Sequence, residues 1–156
     1  MQNTHKKNII LTDLDHTLSN AFWRDPMIGI VPWDKYHEES INDLPAHDFV
    51  KFISVFFNSK KHELIGITSR PEKFRDLTMK WLSRNAVPLH NLWMRPDNDY
   101  RAAGDVKISL CVENLGEGWK DHILCLIDDN DKVIEAFRGE GITCLQIFNK
   151  RGKDDA

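Results

Sequence analysis

Asn8-Ile9-Ile10-Leu11-Thr12-Asp13-Leu14-Asp15 is an apolar, β-branched run that turns acidic at its C-terminal end. Asn8 to Leu14 reads as a buried strand. Residues two apart on an extended chain point the same way, so Asp13 and Asp15 sit side by side where the strand ends. Two adjacent carboxylates repel each other and need a cation or a proton. A single Asp in such a place is more often a turn residue.

Working outward, strand-like and helix-like runs alternate. Residues 19–45 are irregular, broken by Pro26, Gly29, Pro32 and Pro45. Ala46 to about Phe57 carries Phe49, Val50, Phe52, Ile53, Phe56 and Phe57 at helical spacing. His62 to Thr68 reads as a strand, and Ser69-Arg70-Pro71-Glu72 then opens a helix that ends near Asn85. Leu89 to Met94 is a short strand and Asp105 to about Leu115 a helix. Ile123 to Ile127 is a strand met at once by Asp128-Asp129. A helix over Asp131–Arg138 and a strand over Ile142–Phe148 follow. This order predicts an α/β fold: a three-layer, Rossmann-like parallel sheet with helices on both faces. Ligands of such sheets lie beyond the carboxyl ends of the strands. Asp13/Asp15, Thr68/Ser69 and Asp128/Asp129 are therefore expected to share one crevice.

A length of 156 residues suits one domain, 1–156, with a frayed charged tail at 150–156. Lys and Arg total 21 against 24 Asp and Glu, a net charge of −3, which excludes a broadly basic nucleic-acid coat. Cys111, Cys125 and Cys144 form no C-x-x-C pair and read as reduced, small hydrophobes. The start, MQNTHKKN, lacks the apolar segment of a secretory signal, and no run approaches a membrane span. A soluble, cytoplasmic protein with no membrane partner is expected.

Four carboxylates at two strand ends make an oxygen-rich site suited to Mg2+. The seven histidines show no soft-metal spacing. Thr68-Ser69-Arg70, at a strand end and a helix mouth, offers hydroxyls, backbone N–H groups and a guanidinium to an anion such as phosphate. An ordinary N-cap by Ser69 is the simpler reading of that triplet. Lys107 matters only if it faces the carboxylates, where it would steady a nucleophile and grip phosphate. Together these parts fit phosphoryl transfer through a covalent carboxyl-phosphate, with a second Asp moving the proton.

Asp13-Leu14-Asp15-His16-Thr17-Leu18, Thr68, Lys107 and Asp128-Asp129 resemble, in order, the four motifs of the haloacid dehalogenase superfamily of aspartate-nucleophile phosphatases. The resemblance runs from about Ile9 to Phe148. A closer similarity is to the 3′-phosphatase domain of phage-type polynucleotide kinase/phosphatases. It rests on Arg24, on Trp33-Asp34-x-Tyr36, on Thr68 to Arg75, on Met94-Arg95-Pro96-Asp97 and on Asp99-Tyr100-Arg101. This resemblance implies Asp13 as nucleophile and Asp15 as general acid/base. It implies phosphate or substrate contacts from Thr17, Arg24, Thr68, Ser69, Arg70 and Lys107. It implies Mg2+ held by Asp13, the Asp15 carbonyl and the Asp128-Asp129 pair, with Asp129 the direct ligand and Asp128 in support.

Two positions depart from the pattern. His16 stands where the family usually has Gly, and Ala103 stands where relatives carry an acid. No G-x-x-x-x-G-K-[ST] is present, so phosphate-adding activity is not expected.

Residues 19–45 and 86–104 are too short for a full lid, so the expected site is open, with a minimal cap or none. Phe22, Trp23, Trp33, Trp93 and Tyr100 lie in these segments as candidates for base stacking, although packing onto the core is the commoner fate of any one aromatic. The expected substrate is a nucleic-acid 3′ end bearing phosphate. The alternatives are a 5′(3′)-deoxyribonucleotidase or other small-molecule phosphomonoesterase, and a non-catalytic phosphate-binding module.

Overall fold

The computed structural model describes residues 7–148. The run that opens the sequence reading forms β1 (Ile9–Thr12) at the centre of a five-stranded sheet. The other strands are β4 (Glu63–Pro71), β5 (Asn91–Arg95), β6 (Ile123–Asp128) and β7 (Cys144–Gln146). Their order is β5-β4-β1-β6-β7 and every pairing is parallel. A two-residue antiparallel ribbon joins β2 (Ser19–Asn20) to β3 (Leu44–Pro45). The helices are α1 (Trp33–Glu38), α2 (His47–Asn58), α3 (Arg75–Arg84), α4 (Ala103–Leu115) and α5 (Asp131–Gly139). Among the described residues, no helix is long and apolar enough to cross a membrane.

Strand periodicity of two sorts the core into the expected layers. Ile9, Leu11, Ile65, Ile67 and Trp93 pack with Val106, Leu110 and Cys111 of α4 and Val133 and Phe137 of α5. Ile10, Leu64, Leu92 and Met94 face the other way, onto Ile53 of α2 and Trp81 and Leu82 of α3. Each such fully buried aliphatic side chain contributes roughly 1.5–3 kcal/mol. Cys111 and Cys125 are buried free thiols and Cys144 is half-buried. The tail at 150–156 lies outside the described residues.

The structure corrects two expectations. Ser69-Arg70-Pro71-Glu72 does not open a helix. Pro71 is extended (ψ 148°) and pairs with Arg95, so β4 continues past a register irregularity to Pro71. A 3-10 turn at Glu72–Phe74 then leads into α3, and Ser69 caps nothing. Residues 19–45 are not wholly irregular either. They hold α1, 3-10 turns at Phe22–Met27 and Glu39–Asn42, and the ribbon. This segment is tied onto α3, where Trp81 Nε1 donates to the Asp43 carbonyl at 2.8 Å and Arg84 to the Ile41 carbonyl at 2.6 Å.

Candidate active site

β1 and β6 are neighbours, so their C-terminal ends bring two acidic pairs together. The Asp13 N–H donates to the Ile127 carbonyl at 2.9 Å, which locks the turn after β1 to β6. Oxygens of Asp13, Asp128 and Asp129 lie within 4.8 Å of one another. Lys107 reaches into this cluster from α4, its Nζ 2.7 Å from Asp13 Oδ1 and 2.6 Å from Asp128 Oδ2. Gly104 makes that reach possible. A Cβ there would meet Ala136 Cβ at 2.9 Å, so glycine lets α4 settle against α5 one turn before Lys107. Thr17 Oγ1 donates to Asp13 Oδ2 and Asp129 Oδ1, each at 3.4 Å. Asp128 Oδ1 accepts the Asn130 N–H at 2.9 Å, and Asn130 caps α5.

Charge in this cluster does not balance. Three carboxylates face one ammonium. Burial, then Asp128, pushes the Asp13 carboxyl well above the ordinary range despite Lys107. Burial and Asp128 raise Asp129 likewise. Burial opposes charge on Lys107, but Asp128 and Asp13 outweigh it and raise its pKa.

Asp15 lies in a second cluster. Its oxygens accept from Arg70 Nε at 3.0 Å and Arg70 Nη2 at 2.7 Å, and Arg24 Nη2 adds a third contact. Burial alone would raise its pKa. Arg70, then Arg24, reverse that and hold it well below the usual carboxylate range. Its side chain does not join the group formed by Asp13, Asp128 and Asp129, so three of the four expected carboxylates make up that cluster.

Arg24 and Arg70, expected to contact substrate, are 0% and 1% exposed, and their guanidinium groups are paired with Asp15 and Asp43.

Asp43 is the residue the sequence reading missed. It is buried and takes Arg24 Nε at 2.9 Å and Nη2 at 2.7 Å, Ser19 Oγ at 3.0 Å and Trp23 Nε1 at 2.8 Å. Tyr36, quoted in the sequence pattern without a role, lies under Arg24, with the guanidinium carbon 4.4 Å from its ring centre. Arg24 and the Trp33-Asp34-x-Tyr36 pattern pointed toward this segment.

Thr68 ends the regular part of β4, buried, its hydroxyl accepting the Arg70 N–H at 3.2 Å. The Ser69 hydroxyl is closed from solvent without a hydrogen-bond partner. Its carbonyl accepts Arg95 Nε at 2.9 Å. His16 adopts φ 60°, the left-handed conformation that favours glycine, which explains the family's preference at that position. Its Nε2 is 3.0 Å from Asp25 Oδ1 and its ring 4.4 Å from that of Phe22.

A cavity of about 560 Å3 opens next to the Asp15 cluster, between α1, the end of β4 and the loop 96–101. Ser69 and His37 form its inner side. Burial lowers the His37 pKa to about 4, and it also lies within the fields of Asp15, Arg70, Arg24 and Asp34.

The chain spans about half the length of the RNA-repair chains that it matches among solved structures. It is 24% identical to a chain of a Pnkp1/Rnl/Hen1 complex, with a TM-score of 0.76, covering 94% of this chain and 48% of that one. A class C acid phosphatase from Bacillus anthracis with tungstate bound is 20% identical, TM-score 0.57, covering 93% and 68%. A haloacid dehalogenase family enzyme from Bacteroides thetaiotaomicron, complexed with magnesium and inorganic phosphate, is 12% identical, TM-score 0.51, covering 96% and 98%. These likenesses establish the fold. No curated protein matches the chain. The family model described as the polynucleotide kinase PNKP phosphatase domain matches residues 7–151, nearly the whole sequence. The chain belongs to that family of phosphatase domains, phosphoric monoester hydrolases of haloacid dehalogenase type.

Proposed function

We propose that this chain is a Mg2+-dependent phosphatase that passes through an aspartyl-phosphate on Asp13 and clears phosphate from a nucleic-acid 3′ end. The observation that carries the reading is Lys107 set between Asp13 and Asp128, with Asp129 completing an all-oxygen cluster. Those donors fit Mg2+. They are hard oxygens, and their excess of two formal negative charges over Lys107 matches a divalent cation. Asp13, Asp128 and Asp129 would hold it, with the Asp15 carbonyl. Bound there, it would screen the carboxylate nucleophile from the phosphate dianion.

The remaining steps fall to the chain. Asp13 attacks phosphorus, and the bond to the leaving 3′ oxygen breaks. Lys107 donates one N–H to Asp13 and one to Asp128, leaving the third for a phosphoryl oxygen. Thr17 borders the same space, its hydroxyl 3.4 Å from both Asp13 and Asp129, and Thr68 would add a phosphate contact. Asp15 moves the proton. The arginines hold it ionised, and an arriving phosphate, itself an anion, raises its proton affinity. It takes up a proton from solvent as the phosphate binds, passes it to the leaving oxygen, later takes one from the water that attacks the aspartyl-phosphate, and returns that one to solvent.

Support for a nucleic-acid end comes from the open cavity beside Asp15 and from relatives in an RNA-repair complex. A purely phosphate-binding module has no need of an ammonium aligned on one carboxylate. The test is phosphate release from 3′- and 5′-phosphorylated oligonucleotides, mononucleotides and sugar phosphates. The 3′-phosphorylated oligonucleotide should be the preferred substrate. A strong preference for mononucleotides would replace the reading with a nucleotidase.

A further inference from the structure

The aromatics of residues 19–45 and 86–104 differ in their surroundings. Trp93 of β5 is in the core, Phe22 lies on His16, and Trp23, 48% exposed, is tied by its indole N–H to Asp43. Trp33 and Tyr100 are different. They come from two separate elements, line the same cavity and remain 60% and 89% exposed. Trp33 is held edge-on to Tyr36, ring centres 5.4 Å apart at 85°, so its orientation is set although most of its surface faces solvent. Tyr100 sits on a loop pinned by Arg95, whose Nη1 donates at 2.8 Å to the carbonyls of Asp99 and of Arg101. Two uncovered aromatic rings lining one cavity are a platform for a flat, apolar-faced ligand.

Charge in the cavity narrows the ligand further. Lys73 is paired with Asp34 at 2.7 Å, and Arg101 with Asp99 at 2.6 Å. The basic side chains are thus largely neutralised in place, which does not suit a run of backbone phosphates. Arg95 spends its bonds on carbonyls and has no carboxylate partner within ion-pair distance among the described residues. One cation beside two rings suits a single heterocycle with carbonyl acceptors. The cavity volume, about 560 Å3, lies within the range of small-ligand sites, roughly 300–1,000 Å3.

We propose that this cavity seats the nucleobase of the terminal nucleotide, stacked on Trp33 and Tyr100, while the 3′-phosphate reaches Asp13 past Ser69. This assignment rests on the 3′-phosphatase reading. It makes Trp33 and Tyr100 specificity-determining residues that sense whether a base is present.

The test compares kcat/KM for two short 3′-phosphorylated oligonucleotides, one with an ordinary terminal nucleotide and one with an abasic terminal residue. The unaltered protein should favour the base-bearing end by about tenfold or more, as stacking on an aromatic side chain supports. Trp33→Ala and Tyr100→Ala should each lower that ratio, the double variant should bring it near parity, and Tyr100→Phe should keep it. The assignment is overturned if the unaltered protein shows no preference. It is also overturned if the alanine variants keep the full ratio, or if they weaken both substrates by one common factor. Unaltered protein that releases phosphate from neither 3′ end, yet hydrolyses other phosphomonoesters, withdraws the 3′-phosphatase reading itself and this assignment with it.

Discussion

Asp15 is gripped at two points by Arg70, Nε on Oδ2 at 3.0 Å and Nη2 on Oδ1 at 2.7 Å, across 55 residues of sequence. Arg24 holds the same carboxylate, and Asp43 holds Arg24. Asp15, the proton carrier of the proposed mechanism, is therefore fixed by a buried lattice of ions.

That lattice predicts how Asp15 variants behave. Asp15→Asn should fold and lose about 10²–10⁴-fold in kcat, the usual worth of a positioned acid/base. Arg70→Lys keeps the charge but loses the planar fork. It should cost less in kcat than Asp15→Asn and leave KM nearly unchanged. Because the guanidinium groups favour ionised Asp15, weakening one raises its pKa. Asp15 must be protonated to serve the leaving oxygen, so the alkaline limb of the pH–rate profile should then move to higher pH. A limb that stays in place would remove Arg70 from the positioning of Asp15.

Asp43 should matter to both stability and turnover. Asp43→Ala leaves the Arg24 guanidinium buried and less compensated, which costs about 3–5 kcal/mol where a buried pair loses one member. Urea unfolding measures it. Removing both charges, Arg24→Met with Asp43→Leu, should recover much of that stability. Turnover should stay low, because Asp15 has lost a partner. Recovery of both together would show that the pair serves folding alone.

The contrast between Asp43 and Asp13 shows what was legible in the sequence. Asp13 and Asp128 each close an apolar strand, and the rule for parallel sheets converts those positions into one crevice. Lys107 was readable by its place between Thr68 and Asp128, early in a helix. Asp43 lies in a proline-broken stretch with no periodicity, and its partners Arg24, Ser19 and Trp23 are 19–24 residues away. Nothing local marks it as buried. Arg24 and Arg70 were found as residues but not as inward-facing ones, since local sequence does not show which way a charged side chain turns. The helix expected at Pro71 failed for a related reason. Proline suits a first helical turn, but pairing with Arg95 of β5 held the chain extended there.

His37 should impose an acid limit on stability. Burial depresses its pKa from 6.5 to about 4, with Arg70 and Arg24 adding to the shift and Asp15 and Asp34 opposing it. Below pH 6.5 the unfolded chain takes up this proton before the folded one does. The contribution is therefore fully present above pH 6.5 and lost as pH falls toward 4, to at most about 3 kcal/mol. Urea unfolding at pH 7, 5.5 and 4.5 should show His37→Gln losing less stability than the unaltered protein across that interval. Parallel losses would mean that the imidazole is protonated without penalty.

Cation removal should expose the opposite slope. Burial and neighbouring acids raise the Asp13 and Asp129 pKa values, so their folded forms prefer to keep a proton. That preference stabilises the metal-free fold at acid pH and fades as pH rises through the raised values. Near neutrality the cation-free cluster is a source of strain, which a divalent ion would relieve. EDTA should abolish turnover and Mg2+ restore it. At a hundredfold excess over its Kd, Mg2+ should add about 2.7 kcal/mol, or roughly 5–10 °C in Tm for a chain of this size. Asp129→Asn should shrink that rise and also raise the Tm of the cation-free protein, since one repelling carboxylate is gone. Full turnover in EDTA, or a Tm indifferent to Mg2+, would show that Lys107 alone balances the three acids.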